Sequence, residues 1–141
     1  MNAFADLGYP EGFQPLQRRN PLLDLLGPFL VRGEGELLEL GLLLDERHTN
    51  SRGGVHGGIL ATLADIGMGY AMAFSSQPPQ PLVTASLTLD YVSSAQVGDW
   101  LSIRLLHSRR GRQMAFANAL LSVGDKVVAQ ASAVFAVPAE R

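Results

Sequence analysis

A single carboxylate stands in the middle of a long apolar run. From Ile59 to Phe74 the chain reads I-L-A-T-L-A-D-I-G-M-G-Y-A-M-A-F, and only Asp65 is charged, with Thr62 and Tyr70 as mild polar exceptions. An Asp is rarely buried without a partner, because desolvating its charge costs more than one hydrogen bond returns. Two readings follow. Asp65 is either a structural group bonded to buried backbone or to an arginine from elsewhere, or a base or nucleophile kept in a dry cleft that sets its proton affinity. Just upstream, Gly53, Gly54, Gly57 and Gly58 flank Val55-His56. Glycines at a helix start let a ligand or another chain approach the backbone closely. The first amides of a helix lack internal partners and lie at the positive end of its dipole, so a carbonyl oxygen gaining negative charge is stabilised there. A tight loop accounts for the same glycines.

These groups need a helix to carry them. At 100° per residue Ile59, Leu63, Ile66, Tyr70 and Phe74 form one bulky stripe, while Ala61, Ala64, Met68 and Met72 lie opposite. A helix that is apolar all round is buried in a core or a membrane. The run is short for a membrane span, and a central Asp costs about 2.5–3.5 kcal/mol there, so a protein core is expected. A sheet should cover the bulky stripe, leaving Asp65 facing whatever covers the second side. About two turns separate Gly57 from Asp65, so a ligand touches both only if it lies along the helix or if one of them comes from another subunit.

The rest of the chain supplies that sheet. Residues 1–20, with Pro10, Gly12 and Pro15, read as a loosely packed arm ahead of a single domain over 21–141. Pro21 to Leu26 reads as a short helix with Asn20 as its cap and Gly27 as its stop. Phe29–Val31 and Leu37–Leu44 read as strands joined around Gly33-Glu34-Gly35, a hairpin turn with no Gly-Lys-Ser behind it to suggest a phosphate loop. After the helix, Gln77-Pro78-Pro79-Gln80-Pro81 is a hard stop. Leu82 to Val92 then alternates, with Val83, Ala85, Leu87, Leu89 and Tyr91 on one face. Trp100–His107, Gln113–Val123 and Lys126–Val137 complete an antiparallel meander, turning at Ser108–Arg112 and at Gly124-Asp125. One long helix and this order of strands give an α+β domain with the sheet curled round the helix.

Composition narrows the function. At 141 residues, 47% apolar and 17% charged, the chain is an ordinary single globule. Its apolar bias suits burial against copies of itself. A net charge of −2 gives no reason to propose nucleic acid as a partner. There is no cysteine, which excludes disulfides, thiolate zinc sites and a Cys nucleophile and is compatible with a reducing cytoplasm. The first twenty residues have no basic and apolar regions of a signal peptide.

The pattern Asn50, Gly53-Gly54, Val55-His56-Gly57-Gly58, Thr62-Leu63-Ala64-Asp65 resembles the hotdog-fold acyl-CoA thioesterases of the PaaI-like, phenylacetate-pathway type, with similarity over roughly residues 20 to 137. That resemblance implies an antiparallel sheet wrapped round one long helix, in homodimers or dimers of dimers with shared active sites. It implies that the Gly57 amide binds the thioester carbonyl, that Asn50 places substrate or water, and that Asp65 from the neighbouring subunit is base or nucleophile. It also puts Thr84 where some members hold the attacking water with a Ser or Thr. Gly58 is a further candidate for substrate binding. His56 is either a catalytic base or a loop-fixing group. No cofactor is implied, coenzyme A being part of the substrate.

Other chemistry is weaker. His48, Asn50 and His56 lack the spacing of a metal site, so no metal is expected. Ser86 and Thr84 have no His–Asp relay for a nucleophilic triad. Arg109, Arg110 and Arg112 cluster at one hairpin, where they suit the phosphates of coenzyme A or simply a solvated turn. The expectation is therefore a cytoplasmic acyl-CoA thioesterase acting on an aromatic or medium-chain acyl group. Its rivals are a hydroxyacyl-thioester dehydratase using His56 and Asp65, and a non-catalytic acyl-CoA-binding module.

Overall fold

The computed structural model describes residues 9–139. Strand β1 (Gln14–Pro15), helix α1 (Pro21–Leu26) and strands β2 (Phe29–Arg32) and β3 (Glu39–Leu43) precede helix α2 (Gly57–Ala73). Strands β4 (Val83–Tyr91), β5 (Trp100–Arg110), β6 (Met114–Val123) and β7 (Lys126–Ala136) follow it. They form one antiparallel sheet in the order β1-β2-β3-β5-β6-β7-β4. Strand β4 follows the helix in sequence yet lies at the sheet's far edge, paired only with β7 among the described residues. This is the α+β arrangement expected, a sheet wrapped round one long helix.

The helix meets the sheet through a different face from the one expected. Leu60, Leu63, Ala64, Gly67, Met68, Ala71 and Met72 are buried, whereas Ile59, Ile66, Tyr70 and Phe74 are only partly covered. Small residues decide this. A Cβ at position 67 would sit 2.4 Å from Cγ2 of Ile103, so only a glycine admits the β5 side chain at this depth. Ala64 and Ala71 extend the same shallow surface one turn to either side. Ile59, Ile66, Tyr70 and Phe74 of the bulky stripe are thus turned partly outward while its Leu63 is buried, and Asp65 is itself only partly covered.

The N-terminal segment is also more engaged than its prolines suggest. Gln14 and Pro15 pair with Val31 and Leu30, and Phe13 is buried with its ring edge-on to Trp100 at 5.0 Å. Trp100 in turn lies over Gly41, where a Cβ would overlap its ring. The rest of the expected arm, residues 1–8, lies outside the described residues. Helix α1 forms as expected, with Asn20 Oδ1 accepting the Leu23 N–H at 2.9 Å. The segment expected as a single strand over Leu37–Leu44 instead starts with a short 3-10 turn, Gly35–Leu37, and pairs from Glu39.

A polar clamp joins α1 to the chain that leads into α2. His48, fully buried, accepts the Asp45 N–H on Nδ1 at 2.9 Å and donates from Nε2 to Leu26 O at 2.7 Å. Arg47 donates to Leu25 O and, at 2.6 Å, to Gly27 O. Its hydrogen bond also holds the Asp45 carboxyl below the usual carboxylate range, partly opposed by burial. Both ring nitrogens of His48 are therefore committed to backbone.

Candidate active site

Strand β4 delivers the partner that Asp65 requires. Its sequence alternates without a break, yet a bulge interrupts the β4–β7 register between Thr84 and Ser86. Thr84 pairs with buried Phe135 and Leu87 with buried Ala133, so both face the helix although they are an odd step of three positions apart. A regular strand would have aimed Val83 and Ala85 inward with Leu87. With the bulge, Val83 is exposed and the Thr84 hydroxyl donates to Asp65 Oδ1 at 2.6 Å. The carboxylate thus has a hydroxyl partner and, among the described residues, no arginine bonded to it, and it remains partly accessible.

Asp65 and Thr84 border a pocket of about 270 Å³ walled largely by apolar groups, Ile66, Gly69, Tyr70, Leu82 and Phe135 among them, with Arg18 also on its lining. The outward stripe of α2 therefore supplies much of this apolar wall. Carboxylate, hydroxyl and apolar cleft together suit a base or nucleophile acting on a bound acyl group.

The helix N-terminus is built from the loop before it. Thr49 and Val55 form an isolated bridge, and Asn50 N–H donates to Gly54 O at 2.8 Å, closing a turn that Gly53 enters with a φ of 85°. Asn50 Oδ1 accepts the Arg52 N–H at 2.8 Å, which fixes the side chain at an exposed position. His56 is the helix cap: its Nδ1 accepts the Gly58 N–H at 2.9 Å. This bond is of the kind the loop-fixing alternative expects, and it occupies the Gly58 N–H. The Gly57 N–H, in contrast, has no partner among the described residues. It is a free donor at the positive end of a helix of seventeen residues.

Asp65 and the Gly57 amide do not meet within one chain. Eight residues of helix place them about 12 Å apart along the axis. Strand β4 runs alongside in the opposite sense, bonding Asp65 through Thr84 and reaching Gly57 through Tyr91, whose hydroxyl donates to Gly57 O at 2.9 Å.

The arginine hairpin separates into two roles. Strand β5 continues through Arg110, into the segment expected to turn, after a register shift between Leu105 and His107. Arg110 pairs with buried Ala115 and so faces inward, where it donates to Met72 O at 2.6 Å and to Gln80 Oε1 at 2.7 Å. It satisfies the carbonyl end of α2 and ties down the proline-rich crossover, so its guanidinium is not available to coenzyme A. Arg109 and Arg112 remain exposed. Arg110→Ala should lower unfolding free energy by about 1.5–3 kcal/mol, the range for hydrogen bonds to a charged group. Chemical denaturation of the purified variant measures this, and an unchanged midpoint would show that the clamp adds nothing.

Sequence reasoning missed Tyr91 as a contact of the helix start and Ala85 as a bulge. Neither has a local signal, since both depend on the register against β7.

The chain belongs to the thioesterase superfamily, whose family model matches residues 52–130. It is a thioester hydrolase with the hotdog fold. It is 53% identical over 94% of its length to "Putative esterase PA0474" of Pseudomonas aeruginosa, covering 99% of that protein. It is 31% identical to mouse acyl-coenzyme A thioesterase 13, over 72% of this chain and 73% of that one. The Escherichia coli PaaI protein of the phenylacetic acid degradation operon superposes with a TM-score of 0.73 over 98% of this chain and 91% of its own, at 18% identity, a likeness of fold alone. No helix among the described residues is long and apolar enough to cross a membrane.

Proposed function

We propose that the protein hydrolyses an aromatic or medium-chain acyl-CoA, with Asp65 as base or nucleophile and the Gly57 amide polarising the thioester carbonyl. The observation that carries this is the Thr84–Asp65 hydrogen bond at the rim of an apolar pocket. In this reading Thr84 and Asp65 hold the attacking water and Asn50 orients the reactants. A cavity of about 150 Å³ admits benzene, so a pocket of about 270 Å³ suits a single ring with a short linker or a comparable chain. Hydrolysis assays across aromatic, short, medium and long acyl-CoAs test the assignment. A clear preference for long chains would overturn it. The cysteine-free sequence suits a cytoplasmic setting.

The proposed site is shared between two copies. Strand β4 leaves one edge without a partner among the described residues, and Val83, Tyr91 and Val92 are all more than half exposed on or beside it. An unpaired, exposed edge is a template for another strand. Full antiparallel overlap of β4 with its copy places Val83 opposite the copy's Tyr91 and centres the two-fold axis on Leu87. Thr84 and Asp65 of one subunit then approach the Tyr91–Gly57 corner of the other. A further pairing of such dimers is compatible with the exposed Leu106, Met114 and Phe116 of the sheet.

Arg109 and Arg112 are proposed contacts for the nucleotide phosphates of coenzyme A. Replacing both with Ala should raise KM for acyl-CoA and flatten its salt dependence, while a short thioester lacking the nucleotide is hydrolysed as before. Steady-state kinetics on the two substrates decide it, and equal losses on both would instead indicate damage to the hairpin.

A further inference from the structure

Gly57 has two demands on it that pull apart. Its N–H must keep one direction if it is to stabilise a developing negative charge, yet glycine has more torsional freedom than any other residue. Something outside the helix must hold it. Tyr91 is placed to do so. Apart from its chain neighbours and the helix's own backbone, the three heavy atoms nearest the position of an added Cβ at Gly57 all belong to Tyr91: the hydroxyl oxygen at 3.0 Å, Cζ at 3.1 Å and Cε1 at 3.2 Å. The ring therefore fills the space a side chain would take. Its hydroxyl also donates to Gly57 O at 2.9 Å. That carbonyl has a second lone pair for the helix's own hydrogen bond, so the two bonds do not compete.

We propose that Tyr91 is a positioning residue for hydrolysis: ring and hydroxyl together pin Gly57 so that its free N–H stays aimed at the thioester carbonyl. This rests on the reading that the Gly57 amide polarises that carbonyl. It adds a reason why position 57 is glycine, since a larger residue would displace the ring that orients it. It also makes the bulge at Ala85 serve both ends of β4. Beyond the bulge, Leu87, Leu89 and Tyr91 face the helix together, paired with Ala133, Ala131 and Ala129.

Tyr91→Phe keeps the ring and removes only the hydrogen bond. In the full-length protein, kcat on the preferred acyl-CoA should fall about tenfold, the effect of one lost hydrogen bond, with KM within about twofold of wild type. The 15N order parameter of Gly57 should fall at the same time, a change that general loss of stability would not confine to this residue. An unchanged order parameter would show that Tyr91 does not hold Gly57, and the proposal fails while the role of the amide stands. A lower order parameter with unchanged kcat would show that the amide is not used, so the underlying reading fails and the proposal with it. A raised KM at constant kcat would make Tyr91 a substrate contact and overturn its positioning role.

Discussion

Asp65→Asn should reduce turnover by about 10²–10⁴-fold, the range for loss of a general base, and leave acyl-CoA binding largely intact. The structure strengthens the choice of substitution. Asp65 receives the Thr84 hydroxyl on Oδ1 at 2.6 Å, and an Asn presents a carbonyl oxygen in the same place, so Thr84 keeps its acceptor. The core-facing side of α2 consists of Leu60, Leu63, Ala64, Gly67, Met68, Ala71 and Met72, and none of these contacts changes. Fold and pocket should therefore persist while the proton acceptor or nucleophile is lost. Single-turnover hydrolysis on the folded variant, with acyl-CoA binding measured separately, gives both quantities. Turnover within a few-fold of wild type would remove Asp65 from the chemistry and return it to a structural role.

What the sequence disclosed and what it withheld divide along one physical line. Asp65 stood out because a lone charge in an apolar helix is costly, and that cost can be read from neighbours in sequence. The helix, the strands after it and the glycine loop were likewise set by local pattern, and each lies within a few residues of its expected place; the order of the strands was not, since β4 pairs with β7 at the far edge instead of opening the expected meander beside β5. The orientation of α2 was not legible. A pattern of bulk alone favours the stripe of Ile59, Ile66 and Tyr70 as the core face. The sheet instead selects the surface with the least relief, because Ile103 must reach Gly67. The inward aim of Thr84 was legible only through resemblance, since the alternation from Val83 to Tyr91 gives no sign of the bulge that creates it. Arg110 shows the same limit. Three arginines in four residues look like one basic patch, but the register of β5 against β6 sends Arg110 beneath the sheet to the end of α2 and leaves Arg109 outside. His48 and His56 also lack distinguishing local signals, and both prove to bond backbone.

Two inactive variants, Asn50→Ala and Asp65→Asn, should recover activity when unfolded and refolded together. The geometry behind this is the separation of about 12 Å between Gly57 and Asp65 along one helix, with β4 lying between them and an unpaired edge. If each site takes Asn50 and Gly57 from one subunit and Asp65 from the next, random pairing makes about half the dimers mixed. In each mixed dimer one site receives both intact residues and the other receives both lesions. About a quarter of all sites are then whole, so roughly a quarter of wild-type activity should return from two inactive parents. Loosening of the Asn50 turn by the Ala substitution does not spoil the result. The Asn50 side chain accepts the Arg52 N–H, so its loss disturbs its own loop, but that loop serves only the doubly damaged site. The restored site takes its loop from the Asp65→Asn subunit, where Asn50 and the His56 cap are intact. Differently tagged parents allow mixed dimers to be isolated and their specific activity measured, with about half of the wild-type value expected for a pure mixed dimer. Isolated mixed dimers as inactive as their parents would place each site within a single chain, and the proposed pairing through β4 would then have to be abandoned as the source of the active site.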